Sequence, residues 1–289
     1  MNTGWLIGTA LIAVIAAPLI GGWLKGIDRR LTARMQGRWG PPLLQPFYDV
    51  IKLFGKKPMV AGRTQTVFAY AFLGLTVTAV VFFALRQDLL MLLFILFFGS
   101  LCLPLGALSV KSPYSQLGGH RELLRFLAYE PILLLAAVPI ALKVDGFSIT
   151  AILEHGEPLL PGLWLTFIAL LIALAMVMRK SPFDVSSSEH AHQELVGGVV
   201  TEYSGPYLAL IELGHWYEMV LVLSVLGLFW AAGSLWWLSI IIALLGWLVI
   251  LLVDNISARL TWSSMLRFAW GAGIGLIALN IVLIHLGWM

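Results

Sequence analysis

Four runs of uncharged, mostly apolar residues, 4–24, 64–85, 89–110 and 158–178, constrain this chain more than any other feature. At 1.5 Å per helical residue each can cross ~30 Å of hydrocarbon, where a helix or a closed barrel alone satisfies every backbone polar group. Further spans are expected at 123–142, 207–230, 235–253 and 268–289, with Gly233 and Ser234 dividing the long region after Tyr207. The expected fold is all-α and integral to the membrane, with about eight transmembrane helices in one polytopic domain over 1–289. Residues are 60% hydrophobic and 11% charged, against about 25% charged in a soluble domain, so the bilayer has to act as solvent. Trp5, Trp23, Trp164, Trp230, Trp236, Trp237 and Trp247 lie near the ends of apolar runs, where an amphipathic ring suits the membrane interface, although some serve packing alone.

Orientation follows from the cations. The loops and flanks after spans one, three, five and seven hold all of the 18 Lys and Arg except Arg86 and Lys143. Positive loops stay on the cytoplasmic side, which puts both termini outside a cell or inner membrane. Basic residues follow the first span and do not precede it, the reverse of a cleaved signal peptide, so it is expected to remain as a helix. The first inner loop carries a short amphipathic surface helix at about 46–55: Pro46 opens it, Phe47, Val50, Ile51 and Phe54 share a face, and Gly55 with Pro58 ends it.

Carboxylates within spans are costly, at least ~2.5 kcal/mol each, and so call for roles. Glu212, His215 and Glu218 recur every three residues on an arc of about 120° of one helix, a candidate protonatable stripe. The bland alternative pairs Glu218 with a neighbouring helix and His215 with a carbonyl. Glu130 precedes Pro131, where a loosened backbone favours a polar cavity; a salt bridge to Arg125 is the competing account. Asp184, Glu189, Glu194 and Glu202 add four carboxylates that can form a polar funnel with the basic first loop, or a plain solvated loop.

Other chemistries are disfavoured. Glu212 and His215 have Glu-x-x-His spacing, yet no second such motif accompanies them, and His190 with His192 is a bare pair, so no metal site is expected. The single Cys102 cannot build a disulfide or a cysteine-ligated cluster alone. There is no phosphate loop, dinucleotide fingerprint or nucleophile elbow. Lipid headgroups or a docked protein explain the basic loop better than nucleic acid does.

The first loop reads Asp28-Arg-Arg-Leu-Thr-Ala-Arg34-Met-Gln36-Gly-Arg38-Trp-Gly40-Pro41-Pro42, then Gln45-Pro46-Phe-Tyr48-Asp49. It resembles the first cytoplasmic loop of the NADH dehydrogenase subunit 1 family of respiratory complex I and its hydrogenase relatives. The resemblance recurs at Leu127-Ala-Tyr129-Glu130, Ser181-Pro182-Phe183-Asp184, Glu194-Leu-Val-Gly197-Gly198 and Thr201-Glu202-Tyr203-Ser204-Gly205. Pro42, where complex I members usually carry Asn, and Asp254-Asn255 with Ala258-Arg259-Leu260 look more like the group 4 nickel-iron hydrogenase branch.

The resemblance implies a membrane anchor of a ferredoxin-dependent energy-converting hydrogenase, linking electron transfer in a soluble arm to proton or sodium movement. It implies no cofactor in this chain. A nickel-iron centre and iron-sulfur clusters belong to partner subunits, beside an antiporter-like membrane subunit. Glu130, Glu202 and Glu212 match the family's buried acidic pathway, with Glu218 and His215 on the same stripe, and Asp184, Glu189 and Glu194 match its entrance. Arg30, Arg34 and Arg38, spaced by four, with Gln45 and Asp49, are expected to contact the soluble arm, topology alone being the alternative for any one arginine. The competing functions are the equivalent anchor of a quinone-reducing complex I and a free-standing secondary transporter; the latter calls for paired broken helices in two repeat halves, which the sequence does not display.

Overall fold

The computed structural model describes residues 3–60, 62–183, 198–232 and 237–287. Its helices are α1 (Thr3–Met35), α2 (Gln45–Phe54), α3 (Arg63–Ala84), α4 (Leu89–Leu108), α5 (Pro113–Val144), α6 (Ile149–Glu154), α7 (Trp164–Val177), α8 (Pro206–Gly227), α9 (Leu238–Ile256), α10 (Trp262–Phe268) and α11 (Gly275–His285). A π-helical stretch, Ala269–Ile274, fuses the last two into one rod. Among the described residues, seven helices are long and apolar enough to cross a membrane, and α7 is a shorter apolar one. The chain is an all-α, multi-pass membrane protein. The expected division at Gly233 and Ser234 lies outside the described residues.

Two helices overrun the hydrocarbon. At 33 and 32 residues, α1 and α5 are roughly 50 Å long, so each carries charged turns beyond a ~30 Å core. Helix α1 stops at Gly37, whose φ of 71° closes the turn: Arg38 N–H donates to Ala33 O at 2.7 Å and Gly37 N–H to Arg34 O at 3.1 Å. The fourth span, expected from Leu123, belongs to a helix that begins at Pro113, because a proline at the first turn starts it well and nothing interrupts it before Leu123. This extension brings Glu122 into the bundle.

The fifth span, expected over 158–178, contributes a helix only from Trp164. Pro161 and Gly162 delay its start, and buried Asn280 of α11 completes it: Asn280 Oδ1 accepts from Thr166 N–H at 3.2 Å and Thr166 Oγ1 at 2.6 Å, while its Nδ2 donates to Gly162 O at 3.0 Å. Ala169, Leu170, Ala173, Leu174 and Met176 are all 0–1% exposed, so α7 is a core helix sheathed by its neighbours. Trp247 is likewise packed inside, at 5% exposure, and not at an interface.

Helix α2 lies on α1 and α8. Phe47 meets Trp216 edge-on at 5.3 Å, a contact worth roughly 0.5–1.5 kcal/mol, and Val50 is buried. Of the expected apolar face, Ile51 and Phe54 stay exposed. The approach of α1 needs Gly22, where a Cβ would stand 2.5 Å from Phe47 Cζ.

Candidate functional site

The buried face of α5 carries Glu122, Arg125 and Tyr129 at helical spacing, with Glu130 one step round; all four are 2–3% exposed. Arg125 donates to Glu122 through Nε at 3.1 Å and again through Nη2, and its Nη1 donates to Met176 O at the end of α7. Just past α7, Arg179 donates from Nη2 to Glu122 Oε1 at 2.9 Å. One carboxylate thus holds two guanidiniums. Arg179 Nη1 stands 3.4 Å from His215 Nδ1 on α8. Three residues on, buried Glu218 accepts from Ser100 Oγ of α4 at 2.8 Å. Arg125, Arg179 and Glu122 all act on Glu218 electrostatically.

The polar line therefore runs from Glu122 through Arg179 and His215, with Glu218 and Ser100 one helical turn deeper. Glu130 lies beyond it on the buried face of α5. Among the described residues, both oxygens of Glu130 and Nε2 of His215 are buried without a hydrogen bond. The expected alternative for Glu130, a bridge to Arg125, does not form, since Arg125 is committed to Glu122 three residues back. The alternative for Glu218 is met in part: it does bond a neighbouring helix, through the hydroxyl of Ser100.

The remaining expected residues fall around this line. Glu212 is half-buried on α8, and Glu202 is half-buried in the loop before it. That loop is stitched to the first one: Ser204 Oγ donates to Met59 O at 3.0 Å, Val60 bridges Tyr203, and Gly205 takes φ 55° beside Lys57 O. Asp184, Glu189 and Glu194 lie outside the described residues. Arg30, Arg34 and Arg38 are exposed at the end of α1, with Arg34 over the Trp39 ring at 5.1 Å. Asp49 is tied within the chain: Arg29 Nη1 donates to one oxygen and Gln45 Nε2 to the other, both at 2.7 Å.

Two features escape a reading of the sequence. Arg179 counted only as one of the cations that set orientation and Glu122 drew no reading, although the i, i+3 spacing of Glu122 and Arg125 was a usable signal. Lys180 forms a second ion cluster, 2.8 Å from Asp28 of α1 and 3.0 Å from Asp254 of α9, while Ser181 N–H donates to Asp254 at 2.8 Å. It pins three helix ends beside the polar line.

The fold and site define a polytopic membrane bundle with an internal line of acids and arginines. The family profile described as NADH dehydrogenase matches residues 7–285, and the chain belongs to that family. It is 28% identical to an NADH-quinone oxidoreductase subunit of Syntrophotalea carbinolica, over 100% of this chain and 95% of that one. It is 32% identical to formate hydrogenlyase subunit 4 of Escherichia coli, over 94% and 95%. A chain in the structure of the membrane-bound sulfane sulfur reductase, an archaeal respiratory membrane complex, superposes with a TM-score of 0.81 at 26% identity, covering 96% of this chain and 98% of that one. These relatives are subunits of multi-subunit membrane complexes of the respiratory or hydrogenase type.

Proposed function

We propose that this chain is the membrane anchor and coupling subunit of a ferredoxin-dependent energy-converting hydrogenase, and that it passes the effect of electron transfer in a soluble arm to proton or sodium movement. The observation that carries the coupling role is the line Glu122–Arg179–His215 with Glu218 and Glu130 beyond it. A carboxylate buried without a hydrogen bond is a group whose proton occupancy follows the local field, and a redox step at the basic end alters that field through the two arginines. The branch rests on Pro42, on Ala258-Arg259-Leu260 and on the likeness to formate hydrogenlyase subunit 4.

In this reading both termini face outward, the basic end faces the cytoplasm, and Arg30, Arg34 and Arg38 meet the soluble arm. The nickel-iron centre and iron-sulfur clusters reside in that arm, and an antiporter-like subunit lies alongside in the membrane. A second reading, the equivalent anchor of a quinone-reducing complex, draws on the likeness to the NADH-quinone oxidoreductase relative over the whole chain. Purifying the complex through a tag on this chain separates the two. Nickel together with hydrogenase and iron-sulfur subunits supports the first, whereas a flavin-containing NADH module with bound quinone supports the second.

A further inference from the structure

Prolines stand inside α1 at Pro18 and inside α5 at Pro131. A proline has no N–H for the carbonyl four residues back, so Val14 O and Leu127 O lose their helical donors within spanning helices, where water does not replace them. Each receives a side-chain donor from another helix instead. Tyr217 of α8 donates its hydroxyl to Val14 O at 2.7 Å, and Trp270, in the π-helical stretch, donates its indole N–H to Leu127 O at 3.2 Å. Both bonds lie where two helices approach closely. A Cβ on Gly21 of α1 would stand 2.6 Å from Cβ of Trp216, the residue before Tyr217, and a Cβ on Gly273 would collide with Cδ1 of Ile132, the residue after Pro131. Both also lie beside the buried acids, since Glu218 follows Tyr217 and Glu130 precedes Pro131. Successive helical residues point about 100° apart, so α8 turns Tyr217 to α1 while Glu218 meets Ser100 of α4.

We propose that Tyr217 and Trp270 are positioning residues for the two buried acids, Tyr217 fixing the rotation of α8 that aims Glu218 and Trp270 the opened turn of α5 that presents Glu130. The inference rests on the coupling role proposed above for these acids. Ser100 holds the tip of Glu218 from α4, and Tyr217 holds the helix behind it from α1. The turn from Leu127 to Pro131 lacks its own closing bond, and the indole of Trp270 sets it from outside, on a rod that Gly273 lets lie against Ile132. Misplacing a reacting group by ~1 Å can cost on the order of a hundredfold in rate. A bond that fixes a helix beside such a group therefore acts on proton transfer beyond its contribution to stability.

The test uses vesicles containing the whole complex and reads the ferredoxin-driven ion gradient divided by hydrogen production from an artificial soluble donor, a ratio that loss of complex alone leaves unchanged. Tyr217→Phe and Trp270→Phe remove the donor and keep an aromatic ring, and each is expected to lower the ratio about fivefold or more. Pro18→Ala with Tyr217→Phe gives Val14 O a backbone donor again, as Pro131→Ala with Trp270→Phe does for Leu127 O. Both double variants are expected to raise the yield of complex while the ratio stays low, and each stands in for a single variant that gives no complex. A wild-type ratio in either single variant, or its full recovery in the doubles, overturns the proposal and leaves the donors to fill carbonyls only. Glu130→Gln and Glu218→Gln, measured alongside, separate the two claims. A low ratio there with a wild-type ratio in Tyr217→Phe and Trp270→Phe overturns this inference alone, whereas a wild-type ratio in the glutamine variants overturns the coupling role with it.

Discussion

Arg179 and Glu122, 57 residues apart, meet at 2.9 Å inside the bundle, and this pair joins the basic end of α7 to the buried face of α5. Glu122 also neutralises Arg125, so its removal strands two guanidiniums. Glu122→Gln is expected to destabilise the subunit by about 3–5 kcal/mol, the usual cost of leaving a buried charge unpaired. The measurement is the thermal denaturation midpoint of the purified complex, with the yield of assembled complex as a second readout; an unchanged midpoint and yield contradict the pairing.

Lys180 makes a similar prediction with a built-in rescue. Lys180→Met leaves the carboxylates of Asp28 and Asp254 facing each other and is expected to lower the yield of folded protein severely. The triple variant with Asp28→Asn and Asp254→Asn removes the stranded charges and is expected to recover much of that yield. If the triple variant folds no better than Lys180→Met, the cluster does more than balance charge.

Topology is checked by labelling single cysteines in a Cys102→Ser background. An impermeant thiol reagent added outside intact cells is expected to modify Asp145→Cys and to leave Lys57→Cys untouched. The reverse pattern would invert the proposed orientation.

Docking through the end of α1 predicts that Arg34→Glu with Arg38→Glu weakens retention of the soluble arm, on the order of tenfold for the two contacts together, and makes release more sensitive to salt. The arm's retention on the membrane after a high-salt wash measures it. Full retention assigns these arginines to topology alone.

Much of this was legible in the chain and some was not, for identifiable reasons. Spans announce themselves because hydrocarbon tolerates only long apolar helices. The start of α5 did not, since His120, Arg121 and Glu122 precede the apolar run that opens at Leu123, and only the packing shows that Glu122 and Arg125 are inside. Glu130 could be singled out beside Pro131, but whether Arg125 paired with it depended on which turn of α5 the arginine faced. Arg179 looked like one more positive-inside charge, because its partners come from α5 and α8, far away in sequence. Ser100 carries no signal of its own until Glu218 is seen beside it.

The proposed coupling role turns on Glu130 and Glu218, whose replacement by glutamine keeps the shape and removes the ionisable proton. The decisive measurement is ion-gradient formation in vesicles containing the Glu130→Gln or Glu218→Gln complex, alongside hydrogen production from an artificial soluble donor. Both variants are expected to assemble and to keep the artificial-donor activity, while the ferredoxin-driven gradient falls by on the order of tenfold or more, as loss of a proton-transfer group entails. A gradient formed by both variants at the wild-type rate would contradict the account and leave the buried acids a structural role only.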